Sequence, residues 1–464
     1  MVATDPALKQ VVARGEGRTG AWRDFTVKVD AIGLSPATTY YYRFESGTDR
    51  SPVGRTRTLP AGKTPRLRLG VVSCSNYPHG YFNAYAGLAA RADLDAIVHL
   101  GDYLYEHANK EYGDGTKTGR IPAPDREIVS LAHYRQRHAQ YKSDPDSLEI
   151  HRQHPFIVVW DDHELANNAW WGGAENHHPD RGEGDWVARR QAAVQAFFEW
   201  MPIREDVQSL RPRIYRTLRF GNLADLVLLD TRVVGRAQQA GRDDLKAIES
   251  PERSLLGIAQ ENWLYGELSE SKRAGTRWQI LGQQIMFAPM TPPGQRVSNT
   301  DVWEGYRASR NRVFDMIESL GLDSVAVLTG DVHSSWAWDL PRRPFEKYDN
   351  RTGRDSLGIE FAGTSVSSPS SLGSGPAGEK QLADMKAARP HLHYVDGRYR
   401  GYFIVDVTSE RLQADFHAVR TVEERTRDEK FVTAYAAPAG EMHLTVQSSP
   451  APAKGDSAEP APAG

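Results

Sequence analysis

Three short runs of ligand-type side chains each follow an apolar stretch long enough to be a buried strand. Gly101-Asp102-Tyr103-Leu104-Tyr105-Glu106 comes after Ala96-Ile97-Val98, and Trp160-Asp161-Asp162-His163-Glu164 comes after Phe156-Ile157-Val158-Val159. The third, Gly330-Asp331-Val332-His333, comes after Val325-Ala326-Val327-Leu328. Carboxylates and imidazoles delivered to loops at the carboxyl ends of strands stand where open α/β sheets place their ligands. The acids and imidazole at 161–164 repel one another unless cations neutralise them, and Asp331 with His333 can reach one centre from an extended backbone. A metal site is the leading reading; for each run taken alone the alternative is a capped turn or a solvated loop. A fourth apolar run, Leu69–Val72, ends in Ser73-Cys74-Ser75-Asn76 and puts the single cysteine at an equivalent position. A lone cysteine is ordinarily a small buried hydrophobe, yet facing two other ligand loops it is as readily a thiolate ligand.

These loops need a scaffold. From about residue 66 to 420, strand-like runs alternate with helical stretches, the pattern of a layered α/β domain. The strands start with Arg66–Val72 and include Asp225–Asp230, Trp278–Gly282, Gly358–Phe361, Gly401–Val407 and Leu412–His417. A helix is predicted from Asp185 to Trp200, with Asp185 as N-cap and Val187, Ala193, Val194, Phe197 and Phe198 as its apolar face. A second helix brings Tyr134, Arg137, His138 and Tyr141 to one side, where Arg137 is a candidate for holding a phosphate and a structural helix is the alternative. The long loop from Trp170-Trp171 through His177-His178 to Gly184 either lines substrate entry or tucks its aromatics away.

Residues 1–60 read as a separate β module, in which Phe25-Thr26-Val27-Lys28-Val29 alternates and Gly33-Leu34-Ser35-Pro36 turns into Thr39–Phe44. Its Leu-x-Pro-x-Thr-x-Tyr pattern at 34–40 is similar to the tyrosine corner of fibronectin type III sandwiches, where a Tyr hydroxyl bonds back to backbone just upstream. Such a sandwich takes about 100 residues, so a partial module lacking its first strands is expected. The joint Pro60–Pro65 leads into the α/β domain at 66–425, followed by a C-terminal segment at 426–446. The Pro, Ala, Ser and Gly-rich stretch 447–464 has little apolar surface to offset ordering and is expected to be disordered.

Composition narrows the partners. With Lys+Arg 57 against Asp+Glu 60, the net charge of -3 over 464 residues offers no broad positive field for nucleic acid or anionic membrane. One cysteine excludes an intrachain disulfide, and nothing approaches a membrane-spanning apolar run or a signal peptide. A phosphate-bearing substrate must therefore be caught locally.

The ordered motif set, Ser-Cys at 73–74, Gly-Asp-Tyr-Leu-Tyr-Glu at 101–106, Trp-Asp-Asp-His-Glu at 160–164 and Gly-Asp-Val-His-Ser at 330–334, resembles the PhoD-like alkaline phosphatases of the calcineurin-like metallophosphoesterase superfamily. Leu229-Asp230-Thr231-Arg232, Ser254–Gly257, Leu281-Gly282-Gln283-Gln284 and Asp301–Tyr306 resemble that family as well, so the likeness runs from about residue 20 to 420. It implies a four-layer α/β sandwich after a partial fibronectin-like module. It also implies twin-arginine export to a periplasmic or secreted location, with the signal segment absent from this chain, and a monomer. Transferred residue by residue, it implies that Asp102 bridges metals, that Cys74 and Tyr105 bind Fe3+ with help from His333, and that Asp162 and Asp331 hold Ca2+. The ligand chemistry agrees, since thiolate and phenolate suit iron and carboxylates suit calcium, with Zn2+ or Mn2+ as the alternative. Cys74 and Asp162 stand where the wider superfamily has Asp-x-His and Gly-Asn-His, which sets this centre apart from a conventional di-metal one.

The expected chemistry is hydrolysis of small-molecule phosphate esters by metal-activated hydroxide attack on phosphorus. His163 is expected to stabilise the transition state or protonate the leaving oxygen, and Asp161 to orient His163 or a ligand. Asn168 contacts substrate or metal, or is simply a helix-start amide. A phospholipase-like or teichoate-directed phosphodiesterase would use the same centre. The non-enzymatic alternative, a calcium-bearing binding module, has no use for Cys74 and Tyr105.

Overall fold

The computed structural model describes residues 1–204, 213–373, 375–455 and 457–463. The N-terminal module contains β1 (Val2–Ala3), β2 (Val11–Ala13), β3 (Thr39–Tyr42), the small hairpin β4 (Glu45–Ser46) and β5 (Asp49–Arg50), and β6 (Gly54–Arg57). Four of these make a sheet in the order β2-β1-β3-β6. The tyrosine corner is present: the Tyr40 hydroxyl accepts the amide of Ser35 at 2.9 Å. The alternating run Phe25–Val29, expected as a strand, is not one. It lies across the helix Trp186–Trp200 instead, where the Lys28 ammonium donates to the carbonyls of Phe198 and Ile203.

Two seven-stranded sheets face each other across the main core. The first is β10 (Arg216–Phe220), β11 (Ala224–Leu228), β12 (Trp278–Gln283), β13 (Val325–Thr329), β14 (Ser335–Pro341), β15 (Ser356–Ala362) and β16 (Leu392–Asp396), in the order β10-β11-β12-β13-β15-β14-β16. The second adds β7 (Arg66–Val72), β8 (Ala96–Leu100), β9 (Phe156–Val159), β17 (Arg400–Thr408), β18 (Arg411–Val419), β19 (Glu429–Pro438) and β20 (Thr445–Gln447), in the order β20-β19-β18-β17-β7-β8-β9. Helices such as Gly257–Ala274 and Arg307–Ser319 cover the outer face of the first sheet over a second apolar cluster, and Asn83–Ala89, Leu131–Ser143 and Trp186–Trp200 flank the other sheet. This is the expected layered α/β sandwich. Among the described residues no helix is long and apolar enough to cross a membrane.

Within the second sheet β7, β8 and β9 run parallel, and in the first β11, β12, β13 and β15 run parallel. Their carboxyl ends converge because the sheets touch there: a Cβ on Gly330 would lie 2.9 Å from the Leu100 carbonyl oxygen and 3.0 Å from the Ser73 Cβ. Gly101, at φ +98°, passes so close to the next loop that a Cβ would sit 2.5 Å from that of Asp161. Only glycine satisfies both the left-handed backbone and the missing space.

The helix Trp186–Trp200 forms with Asp185 as N-cap, its carboxylate accepting the Ala188 amide at 3.1 Å. Phe197 and Phe198 face the core, but Val187 points outward and is exposed, so the apolar face is narrower than expected.

The stretch 447–464 was expected to be disordered; apart from Asp456 and Gly464, which lie outside the described residues, it runs over the body of the protein. Its carbonyls are captured by arginines: Arg55 holds Ala458 at 3.1 Å, Arg68 holds Pro452 at 3.0 Å, and Arg66 and Arg152 hold Pro452 and Pro462. Gln153 and Ala461 exchange two hydrogen bonds, 3.1 and 2.9 Å, Lys454 pairs with Asp95, and Ala451 and Ala461 are buried. A Pro/Ala segment poor in apolar side chains still offers unpaired carbonyls, and hydrogen bonds to charged donors substitute for apolar burial. Deleting residues 448–464 is therefore expected to lower Tm by about 2–4 °C, measured by calorimetry. An unchanged Tm would show that the segment does not dock.

Candidate metal centre

Three of the four ligand loops leave their strands through residues in a left-handed conformation, and the fourth holds one further along. Cys74 (φ +62°) follows β7, Asp102 (φ +54°) follows β8, Asn168 (φ +53°) lies beyond β9, and Asp331 (φ +60°) and His333 (φ +49°) follow β13. Non-glycine residues held there are strained, and such strain persists where the surrounding structure over-determines it, commonly at functional sites. Here the surroundings are the loops themselves. The Cys74 amide donates to the Gly101 carbonyl at 3.1 Å and that of Ser75 to the Asp102 carbonyl at 2.9 Å, while Glu164 accepts the amides of Asp102, Tyr103 and Asp161 at 3.0, 2.6 and 2.8 Å.

The side chains meet in overlapping groups. Donor atoms of Cys74, Asp102 and His333 lie within 4.8 Å of one another, as do those of Asp102, Asp162 and His163, and those of Asp161, Asp162 and Asp331. Asp102 belongs to two of these groups, and Asp162 to two. The Tyr105 hydroxyl sits 3.0 Å from Asp102 Oδ2 and 3.2 Å from His333 Nε2, and accepts from Ser368 Oγ at 2.7 Å. His333 directs Nδ1 to the Pro369 carbonyl at 2.9 Å, which turns Nε2 toward Tyr105 and leaves it for a cation.

These residues fit a multi-metal centre. Asp102 Oδ1 is buried with no hydrogen-bond partner. Burial, reinforced by the Asp102 charge, pushes the Cys74 thiol and the Tyr105 phenol well above their ordinary pKa values. Burial also raises Asp102 and Asp161, and brings Asp331 up to about 7 despite Arg232, with Asp162 and Asp301 adding to the effect. Burial lowers His333 to about 3, so its imidazole is neutral and available as a ligand. Acids crowded without solvent give up their protons readily only when cations take the protons' place, which is the coupling expected of a metal site.

The structure assigns the neighbours of each predicted residue. His163 Nδ1 lies 2.7 Å from Glu106 Oε2, and its ring packs against Tyr105, tilted at a centroid distance of 4.2 Å, and against Tyr112, stacked at 5.8 Å. Burial opposes a charge on His163, but Glu106, Asp102 and Asp162 together raise its pKa well above the usual value. Glu106, not Asp161, therefore orients His163. Asp161 instead binds Arg232. Asn168 gives its backbone amide to Asp162 Oδ2 at 2.6 Å, while its side-chain amide turns to Glu175. Arg137 does not reach the centre: its guanidinium is buried among the carbonyls of Tyr105, His107, Ala123, Pro124 and Arg126, so it shapes the 105–107 loop and holds no phosphate.

Two participants went unassigned from sequence. Arg232, fully buried, reaches Asp161, Asp301 at 2.7 Å, Asp331 at 3.3 Å and Asp162 at 3.6 Å. Asp301 works against its own burial through Arg232 and Arg236, which hold it down to about 2. Arg232 thus neutralises the outer side of the carboxylate cluster. Its motif, Leu229-Asp230-Thr231-Arg232, was visible; the only signal for its role was an arginine just past a buried strand. Glu106, at the end of the Gly-Asp motif, carried a similar signal.

The PhoD-like phosphatase family model matches residues 69–416, three quarters of the chain and all four ligand loops. The chain belongs to the PhoD-like phosphatase family. The family's N-terminal domain model matches residues 1–60. Alkaline phosphatase D of Bacillus subtilis (strain 168) is 38% identical over 436 residues, covering 91% of this chain and 71% of that protein. The solved structure of PhoD superposes with a TM-score of 0.86 at 36% identity, over 97% of this chain and 85% of the other. A purple acid phosphatase, PPD1 from yellow lupin seeds, shares the fold alone, with a TM-score of 0.52 at 12% identity over 87% of this chain and 60% of its own. As a member of this family, the protein is a metal-dependent phosphate-ester hydrolase.

Proposed function

We propose that the centre hydrolyses phosphate monoesters, diesters or both, with a ferric ion held by Cys74, Tyr105, Asp102 and His333 and calcium held by Asp102, Asp162 and Asp331. The observation that carries this reading is the position of Asp102, a buried carboxylate shared between a sulfur/nitrogen group and an oxygen-rich group. One side offers thiolate, phenolate and imidazole, which suit iron; the other offers hard oxygen donors, which suit calcium. Bound there, the cations neutralise phosphate oxygens and acidify a water at neutral pH.

The chain's own residues do the rest. His163, whose protonated form Glu106 favours and whose ring packs against Tyr105 and Tyr112, faces the same carboxylates and supplies a proton or positive charge to the leaving oxygen. Asp161 and Arg232 hold Asp162 and Asp331 in place from behind. A cavity of about 400 Å³ is lined by Trp170, Gln239, Arg242, Asp301 and Asn168, whose backbone amide bonds Asp162, and it is the space this reading gives to the alcohol part of the ester. An extracytoplasmic location belongs to the same proposal, because carboxylate calcium sites of modest affinity fill where free calcium is abundant.

A panel of aryl and alkyl phosphate mono- and diesters, assayed at several calcium concentrations, tests the reading. Turnover of at least one class that rises and saturates with calcium is expected. Turnover indifferent to calcium on every substrate would count against it. Preference for glycerophosphodiesters over all monoesters would favour the phospholipase-like or teichoate-directed variant.

A further inference from the structure

A second group of ligand-type side chains lies away from the catalytic loops. Asp339 is on β14, His393 on the neighbouring edge strand β16, and His443 on the turn joining β19 to β20. β14 alone carries the chain about 13 Å from Ser335 to Asp339 at 3.3 Å per residue, and no donor is shared with the catalytic groups, so the two are separate. Donor atoms of Asp339, His393 and His443 lie within 4.8 Å of one another. His443 Nδ1 is 2.7 Å from Asp339 Oδ2 and His393 Nε2 is 3.2 Å from Asp339 Oδ1. Tetrahedral zinc with bonds near 2.0–2.1 Å puts donors about 3.3 Å apart; the His393–Asp339 separation matches this, and the His443–Asp339 hydrogen bond would open by about 0.6 Å to admit the ion.

The setting holds the donors in place. Asp339 is fully buried and further fixed by the Tyr348 hydroxyl at 2.6 Å and the Leu444 amide at 2.9 Å. His393 Nε2 is buried near the carboxylate yet makes no aligned hydrogen bond, as a nitrogen aimed at a shared point would. Gly353, at φ +67°, clamps the third donor: a Cβ there would lie 2.3 Å from that of His443. The imidazoles keep 16% and 21% of their side-chain surface, so the group lies just beneath solvent.

We propose that Asp339, His393 and His443 form a second metal site, for a zinc-like divalent cation, that clips the turn before β20 onto the edge of the first sheet. Two imidazoles and one carboxylate are a donor set suited to zinc, with water as the fourth ligand. The ion would join β16, the edge strand of the first sheet, to the turn between β19 and β20 of the second; β16 and β19 otherwise meet here through side chains such as Tyr394 and Tyr435, stacked at 5.7 Å. Its effect is on stability and on the C-terminal segment, not on turnover.

The test uses full-length protein carrying its own metals, incubated with excess zinc and desalted, with zinc, iron and calcium counted by elemental analysis. The wild type is expected to retain about one equivalent of zinc beyond its catalytic complement, and its Tm is expected to rise with added zinc. His393→Gln and His443→Gln should both lose that equivalent and the Tm response while keeping iron, calcium and phosphatase turnover. Asp102→Asn, which alters the catalytic centre, should keep the extra zinc. Equal zinc retention in the wild type and both histidine variants overturns the proposal. Loss of the extra zinc in Asp102→Asn with retention in His443→Gln also overturns it, by placing that zinc in the catalytic centre. Should one histidine variant fail to fold, the other variant and the wild-type Tm response decide the matter.

Discussion

A calcium-selective chelator is expected to lower phosphatase turnover at least about 10²-fold, the scale of losing a charge aimed at the reacting phosphate. Added calcium alone should restore it. The reason lies in the unequal donors on the two sides of Asp102. Asp162, bonded to the cavity residue Asn168, and Asp331 offer carboxylates, and hard oxygen sites exchange calcium readily. Cys74 and Tyr105 are buried, and a thiolate-phenolate set releases iron slowly. Chelation should therefore remove one metal and leave the other, so any visible absorption from iron persists through the inactive state. Activity that survives complete calcium removal would show that the carboxylate side holds another ion or none.

His163→Ala is expected to lower kcat roughly 10²-fold or more, the range for a positioned acid or charge-stabilising group. Iron and calcium contents should stay close to wild type, because the residues proposed to hold them remain. The effect should exceed that of an ordinary buried histidine because His163 is held from several sides: by Glu106 at 2.7 Å, by the rings of Tyr105 and Tyr112, and by its own amide on Asp162 Oδ1 at 3.0 Å. Such fixation places the charge without reorganisation at the moment of reaction. If the variant instead loses its metals, His163 is a ligand and the role given to it is wrong.

The parts of the site that were legible beforehand share one property: their chemistry is local. A buried strand followed within three residues by Asp102, Asp162 or Asp331 is written in consecutive letters, and the strand ends carry the groups to one place once the sheets assemble. The apolar runs at 69–72, 96–98, 156–159 and 325–328 all became strands. What was missed depends on partners far away in the chain. Arg232 contacts acids 71, 69 and 99 residues distant, and Glu106 finds His163 across 57. Nothing near either residue announces that pairing. Arg137 failed for a related reason: helical spacing puts it beside Tyr134 and Tyr141, but only the folded loop shows that backbone carbonyls take every arm of its guanidinium. Phe25–Val29 alternates as a strand does, yet a strand needs a ladder partner, and this run finds a helix. The C-terminal stretch shows the limit of counting apolar side chains, since arginines on three separate segments hold it through its carbonyls.

The measurement that bears most directly on the mixed metal centre is elemental analysis of the purified protein together with its visible spectrum and that of Tyr105→Phe. The expected result is iron and calcium in the same molecule, with a broad visible band from phenolate-to-ferric charge transfer that Tyr105→Phe abolishes. A colourless, fully active protein without iron, or full activity reconstituted by zinc alone, would contradict it.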